Sequence, residues 1–395
     1  MDSHRSVQAG QELTEGPVGG GVSKGLPESG QLDIPVMARL FADRTNSYKY
    51  FFFLAILDHI DGATAGTMAG LDRPIPLESL AVDMVLAAWY PHGFCRLSLG
   101  SQDMLQHAVD GVDWGHVRGS WIGSGSREWQ HLRETCARQL DAAALVRYVP
   151  YRLIRPFYAT ETRGLADHLV NERIAELADN TTADHRSPYF FSADRKRIIL
   201  DPSWLEYLSR NSAILRGWTR FRLAEYLQAR NPSIPGIVAK LAPPLVRESL
   251  ARQTSWWQTA LPLIGSQARC IYSGTQLLKD TFTLDHYLPW SFVTHDRQWN
   301  LLPVPKAINS AKSDRLPAGK YLTALVTLQH AALSAMHTAL PEPRWLNSVE
   351  PFMTDLRLDR HSLLNPGKLL RAYEETVTPL ETLARRQGFA GGWEY

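Results

Sequence analysis

Apolar residues recur at three- and four-residue spacing along much of the chain. This pattern predicts amphipathic helices over 76–89, 128–146, 162–177, 212–229, 245–261, 320–338 and 368–385. The run YFFFLAIL over 50–57 has no polar face, so it reads as a buried helix, started by a capping side chain among Thr45, Asn46 and Ser47. It is far shorter than the roughly 20 residues needed to span a bilayer, and no membrane segment is expected. Only one place before residue 250 reads as strand. Residues 189–191 and 197–200 flank the polar turn Ala193-Asp194-Arg195-Lys196, which predicts a β-hairpin. Asp201-Pro202 then opens a helix with a capping carboxylate and a first-turn proline. The stretches 70–76 and 91–113 and the prolines at 232, 235, 243 and 244 mark loops, and those at 341, 343 and 351 mark a linker.

These signals divide the chain into a disordered tail (1–33), a helical domain with one hairpin for target or partner recognition (34–244), a compact unit (245–320) and C-terminal helices that pack on it (321–395). Residues 1–32 contain GPVGGGVSKG and no apolar core of the kind a signal peptide needs. The 395 residues are 44% apolar and 10% aromatic, enough for sizeable cores. A net charge of +2 announces no nucleic-acid partner by itself. From 247 to 320, however, nine basic residues face five acidic ones, which favours a phosphate partner. Three scattered cysteines, Cys95, Cys136 and Cys270, suit free thiols in a reducing cytoplasm.

The candidate chemistry lies in FTLDHYLPWSFVTHDRQWNLLPVPKAINSAKSDRLP, residues 282–317. Residues 282–284 predict a short strand ending on Asp285-His286, 290–298 a compact loop, and 299–304 a second strand. Pro305 opens a short helix through Lys312. The order is β-loop-β-α. Hydrolysis of a phosphodiester needs a base to activate water, a cation to stabilise phosphate charge and a frame relating the two. Neighbouring side chains of a strand point to opposite faces, so Asp285 and His286 serve one site only if the chain bends, and Pro289 is close enough to bend it. Taken singly, Asn300 and Asn309 read as turn or cap residues and Lys312-Ser313-Asp314 as a helix end.

Taken together, the residues D-H-x-x-P-x-S-F, then Asp, then Asn, then N-x-x-K-S-D-x-x-P form one ungapped frame. This frame resembles the HNH (ββα-metal) endonuclease motif, in the version carried by the RNA-guided CRISPR effector nucleases. A looser similarity to bacterial HNH-domain proteins covers 47–57 and 218–235. The resemblance implies an α+β fold, predominantly α-helical with an embedded ββα-metal motif. It makes His286 the general base, Asp285 and Asn309 the metal ligands, and Asn300 the amide that ties down the loop. Lys312 becomes the basic residue meeting a phosphate, with Lys306 and Arg315 beside it as nucleic-acid contacts. Oxygen ligands suit Mg²⁺ or Mn²⁺. DNA is the implied substrate, with RNA as the alternative. The family context suggests an anti-phage or restriction setting with protein partners, or an effector silent until triggered. Many relatives brace this motif with two zinc knuckles. Here Cys270 is followed by Ser273 at the partner position, and no structural zinc is expected.

Two further features remain open. His295 and Asp296 inside the loop read chiefly as loop structure. Arg147–Tyr158 and the group Arg216, Trp218, Arg220, Phe221, Arg222 interleave arginine with aromatic rings, as single-strand binders do, but also as ordinary cores do.

Overall fold

The computed structural model describes residues 25–64, 74–115, 127–180, 185–244 and 248–395. Most of residues 1–33, the start of 245–261, and 70–73 of the first loop therefore lie outside the described residues. The fold is α+β and mostly helical. In chain order the first helices are α1 (Ile34–Met37), α2 (Tyr48–Thr64), α3 (Leu77–Ala88), α4 (Met104–Gly111), α5 (Arg127–Gln139) and α6 (Ala142–Val146). They are followed by α7 (Val149–Ile154), α8 (Asp167–Asn180), α9 (Pro202–Arg210), α10 (Ser212–Arg230) and α11 (Ala251–Ile264). The last five are α12 (Trp290–Val293), α13 (Lys306–Lys312), α14 (Lys320–Ala339), α15 (Glu342–Leu356) and α16 (Pro366–Arg386). The strands are β1 (Ile75–Pro76), β2 (Tyr189–Phe191), β3 (Arg197–Leu200), β4 (Thr283–His286) and β5 (Leu301–Val304).

Contacts divide the chain into two compact units. One comprises 1–44, 56–76 and 148–217. Its hairpin pairs antiparallel in the register Tyr189 with Leu200 and Phe191 with Ile198, and the two-residue β1 extends it to a three-stranded sheet in the order β1-β3-β2. A strand this short leaves no alternation to read. Asp201 caps α9 by accepting from the Ser203 and Trp204 amides and also holds His185 Nδ1 at 2.7 Å. Arg152 of the first basic-aromatic cluster is used internally: it donates to Asn171 and pairs with Asp167. Arg216, of the second cluster, is clamped by Asp58 and Asp61.

The other unit comprises 45–55, 77–147 and 218–395. The helix predicted over 128–146 is two helices, because Asp141 turns its carboxylate onto the Ala144 amide and starts α6 anew. α4 occupies part of the predicted loop over 91–113, capped by Asp103 and burying Leu105 and Val109. Asp103 also accepts from the Ser47 amide at 2.6 Å, whereas the Ser47 hydroxyl is buried with no partner and caps nothing. A π-helical turn, Trp89–Phe94, follows α3. It needs Gly93, where a Cβ would lie 2.6 Å from Trp89 Cδ1. α15 was hidden in the sequence by Pro343 and Pro351, yet its Trp345, Val349, Phe352 and Leu356 are buried at helical spacing.

One core runs from α11 through the β4-β5 ribbon to α14, α15 and α16, with Trp257, Leu288, Phe292, Leu301, Leu325, Trp345 and Tyr373 among its members. A two-stranded ribbon is marginal by itself, and here neighbouring side chains satisfy its backbone. Trp257 of α11 and Gln329 of α14 donate to the Leu301 carbonyl, and Tyr373 of α16 donates to that of Trp299. No helix of the described residues is long and apolar enough to cross a membrane.

Candidate active site

β4 and β5 pair antiparallel, Thr283 with Val304, Asp285 with Leu302 and His286 with Leu301. The second strand begins at Leu301 rather than 299, because residues 298–300 form a 3-10 turn. The predicted loop over 290–298 contains the short helix α12. α13 starts at Pro305, whose missing N–H costs nothing at a helix entrance. Its residues Ile308 and Lys312 are four apart, so both turn inward and are buried.

Asp285 and His286 are the last two residues of β4, where Leu284 and Asp285 are buried side by side rather than in alternation, so the strand end does not sort its side chains strictly onto two faces. Asp285 is 2% exposed. Its Oδ1 accepts from Lys312 Nζ at 3.0 Å and its Oδ2 from the Tyr272 hydroxyl at 2.9 Å. Lys312 is itself fully buried and also donates to the His286 carbonyl at 2.7 Å. Its ammonium is therefore committed to the motif's own strand rather than offered to solvent. Asn309, three residues earlier, donates Nδ2 to the Leu284 carbonyl at 3.1 Å. This pins α13 to β4 and leaves the amide oxygen as the acceptor end.

His286 Nε2 sits 2.7 Å from Asp296 Oδ1. A carboxylate accepts, so Nε2 carries the proton of this bond and Nδ1 is the nitrogen able to receive another. The loop that brings Asp296 here is bracketed by Asn300. Its Nδ2 donates to the Leu288 carbonyl at 2.9 Å, its Oδ1 accepts from the Leu288 amide at 2.8 Å, and its own carbonyl accepts from Tyr287. Gln253 of α11 holds the Asp296 carbonyl from outside at 3.0 Å. Thr294 closes α12 in the left-handed region at φ 55°, an unusual conformation for a β-branched residue. Gly236 packs so close that a Cβ there would lie 2.7 Å from Thr294 Oγ1.

Residues 270–318 match the family model of HNH endonuclease. No curated protein and no solved structure matches the chain at a significant level. The HNH segment thus matched is the ββα unit with the turn before it, and the match supports a nuclease.

The HNH segment opens on a turn at Cys270, with Ser273 rather than a second cysteine three residues on. Here backbone hydrogen bonds close it, Gly274 N to the Cys270 carbonyl at 2.8 Å and Cys270 N to that of Thr275 at 2.8 Å, with Gly274 at φ 71°. Tyr272 points from this turn to Asp285, and its ring meets Tyr321 and Trp393 edge-on. Burial and the adjacent Asp285 push the Tyr272 hydroxyl well above its ordinary range, so it stays a donor. Tyr272 and Asp296 are the site residues that the motif alone missed or ranked low. The signal for Tyr272 was its place in the turn where a metal brace would sit.

The other sequence candidates scatter around this centre. Arg315 donates to the Lys312 and Ala311 carbonyls at the end of α13, Asp314 pairs with Arg96 at 2.7 Å, and Lys306 is exposed at the helix start. His295 packs at a tilt against Trp299; burial, opposed by Asp355 and reinforced by His286, lowers it to about 4.

HNH nucleases use divalent metal ions. Among the described residues, no three His, Cys, Asp or Glu side chains converge. The HNH segment instead offers one carboxylate and one amide oxygen, a donor set suited to a hard cation that keeps most of its waters. A carboxylate has about four lone-pair directions, and Lys312 and Tyr272 each take one. The donors therefore fit such an ion, in competition with the Lys312 ammonium.

Proposed function

We propose that this protein is a divalent-metal-dependent HNH endonuclease that hydrolyses DNA. The observation that carries the reading is the His286–Asp296 pair on the ribbon that also bears Asp285. His286 Nδ1 takes a proton from water, and Asp296 holds the ring in that tautomer and balances the charge it gains. Asn300 fixes the loop on which this alignment depends. Asp285 and Asn309 would hold Mg²⁺ or Mn²⁺, which supplies charge stabilisation at the phosphate. Lys306 stands exposed on the same helix to meet the substrate backbone. One such site cuts one strand per visit.

A second reading is favoured by the Lys312–Asp285 pair: a resting enzyme whose carboxylate is held until a partner or substrate shifts α13. An anti-phage or restriction setting, with protein partners, is consistent with such restraint.

Plasmid relaxation tests the reading. Wild-type protein with Mg²⁺ or Mn²⁺ nicks supercoiled DNA, EDTA stops it, and His286→Ala abolishes nicking while leaving the melting curve intact. A His286→Ala protein with more than a few per cent of wild-type activity would overturn the assignment of the base.

A further inference from the structure

Beside the His286–Asp296 pair, α11, α14, α15 and the loop after α12 enclose a cleft of about 690 Å³. Its volume lies within the range of roughly 300–1,000 Å³ typical of small-molecule sites, room for a nucleotide or two rather than a duplex. Arg252 of α11, Arg344 of α15 and Arg297 of the loop line it, against Glu248 and Asp296. Asp296 is already engaged by His286, and Arg297 stands 3.4 Å from Asp355. Among the described residues, Arg252 and Arg344 have no carboxylate partner; Arg252 makes only a 3.5 Å contact to the Asn347 carbonyl. Both are exposed. Three buried polar atoms belong to residues of the same lining: Trp256 Nε1 and Gln298 Nε2, which are donors, and Gln253 Oε1, an acceptor. None has a hydrogen-bond partner. These atoms have almost no accessible surface, so they lie behind the cleft wall and the exposed arginines are the groups it presents.

We infer that this cleft binds single-stranded nucleic acid next to the scissile phosphate, with successive backbone phosphates on Arg252 and Arg344. The inference rests on the nuclease reading for its location, because the Asp296 end of the cleft adjoins the base that would activate water. Exposed arginines without carboxylate partners suit phosphates, and the volume holds a nucleotide or two. An acidic peptide would use the same arginines, but nothing ties it to the Asp296 end of the cleft. The site therefore takes a strand that is already single or is opened as it binds, and the enzyme cuts at that strand.

Fluorescence anisotropy of labelled oligothymidylate and oligouridylate, each roughly a dozen nucleotides, tests this with full-length protein in EDTA. Salt is varied from about 50 to 200 mM. Arg252→Ala/Arg344→Ala should weaken binding about 10- to 100-fold at the low-salt end and flatten the slope of log K against log salt by about 1.4, the release expected for two single-strand phosphate contacts. Arg252→Lys/Arg344→Lys, which keeps both charges, should retain most of the slope. Equal loss with the deoxy and ribo strands assigns the site to the shared phosphates and bases; loss with one strand only assigns it to that sugar. An unchanged affinity and slope in the alanine variant overturns the inference, as does a wild-type protein that binds oligoglutamate but neither oligonucleotide. Plasmid nicking is measured in parallel. Nicking with an unchanged salt slope sinks the cleft alone, whereas a reduced slope without nicking keeps the cleft and sinks the nuclease reading.

Discussion

Replacing Lys312 by Met removes an ammonium that is fully buried and bonded to both Asp285 Oδ1 and the His286 carbonyl. Met keeps the length and apolar character of the stem, so the loss is one of charge and hydrogen bonding. Breaking one side of a buried ion pair typically costs about 3–5 kcal/mol, because the remaining charge has no compensation. At about 2–4 °C per kcal/mol for a domain of 150–250 residues, the melting temperature should fall by roughly 6–20 °C. Adding Asp285→Asn to Lys312→Met removes the orphaned charge while keeping an oxygen for Tyr272, and should recover more than half of that loss. Differential scanning fluorimetry with and without Mn²⁺ reads a second consequence. A divalent ion at Asp285 and Asn309 can take the place of the ammonium, so Lys312→Met should be raised by Mn²⁺ far more than wild type. A single variant that melts within about 2 °C of wild type would refute the buried-pair argument. A variant that loses stability but ignores Mn²⁺ would refute the metal assignment.

Three further outcomes are expected. Asp296→Asn should lower kcat by roughly 10²- to 10⁴-fold with KM nearly unchanged, and Asp296→Glu should restore part of it; a KM effect alone would make Asp296 a binding residue. His295, lowered to about 4 in the folded state against about 6.5 unfolded, is protonated first in the unfolded chain, so stability should fall as pH drops from about 6.5 to 4, by at most about 3 kcal/mol. Urea titrations at the two ends should show this slope, and His295→Asn should flatten it. Lys240 is fully buried, donates to the Pro235 carbonyl at 2.7 Å and is lowered by burial to about 8. Its charge is therefore a burden at pH 7 that disappears above about pH 10.5, and Lys240→Met should raise stability at neutral pH by about 1–3 kcal/mol but not at alkaline pH.

The ββα frame was legible because its signals are local. A strand-sized apolar run, a proline at the helix entrance and an ungapped order of Asp, His, Asn and Lys lie within one short stretch, and helices with clear faces such as α10, α14 and α16 were read from spacing alone. What escaped depends on residues far apart in sequence. Asp285 reaches Tyr272 because a turn closed by Gly274 folds back on the ribbon, and Tyr272 is fixed in turn by Trp393. Asp296 looked like a loop residue because nothing in its neighbourhood shows that the Asn300 bracket carries it to His286. α15 was lost for the opposite reason: Pro343 and Pro351 are strong local signals, and tertiary packing of Trp345, Val349, Phe352 and Leu356 overrides them. For Arg152 and Arg216 the sequence left nucleic-acid contact and ordinary packing both open, and their carboxylate partners favour the second.

Trp393 supports the ββα unit from about 75 residues further along the chain. Trp393 exchanges backbone hydrogen bonds with the strand end after α13, its amide to the Leu316 carbonyl at 3.0 Å and its carbonyl from the Ala318 amide at 2.9 Å, and its ring supports Tyr272 against Asp285. The nuclease segment therefore leaves the ribosome before the piece that locks it. At synthesis rates of about 5–20 residues per second, the interval from residue 318 to residue 393 lasts roughly 4–15 seconds. During that time a polypeptide still attached to its messenger carries every residue of the motif without the support that sets Asp285 in place. Setting Asp285 in place therefore waits on a residue made about 75 positions after the segment it supports.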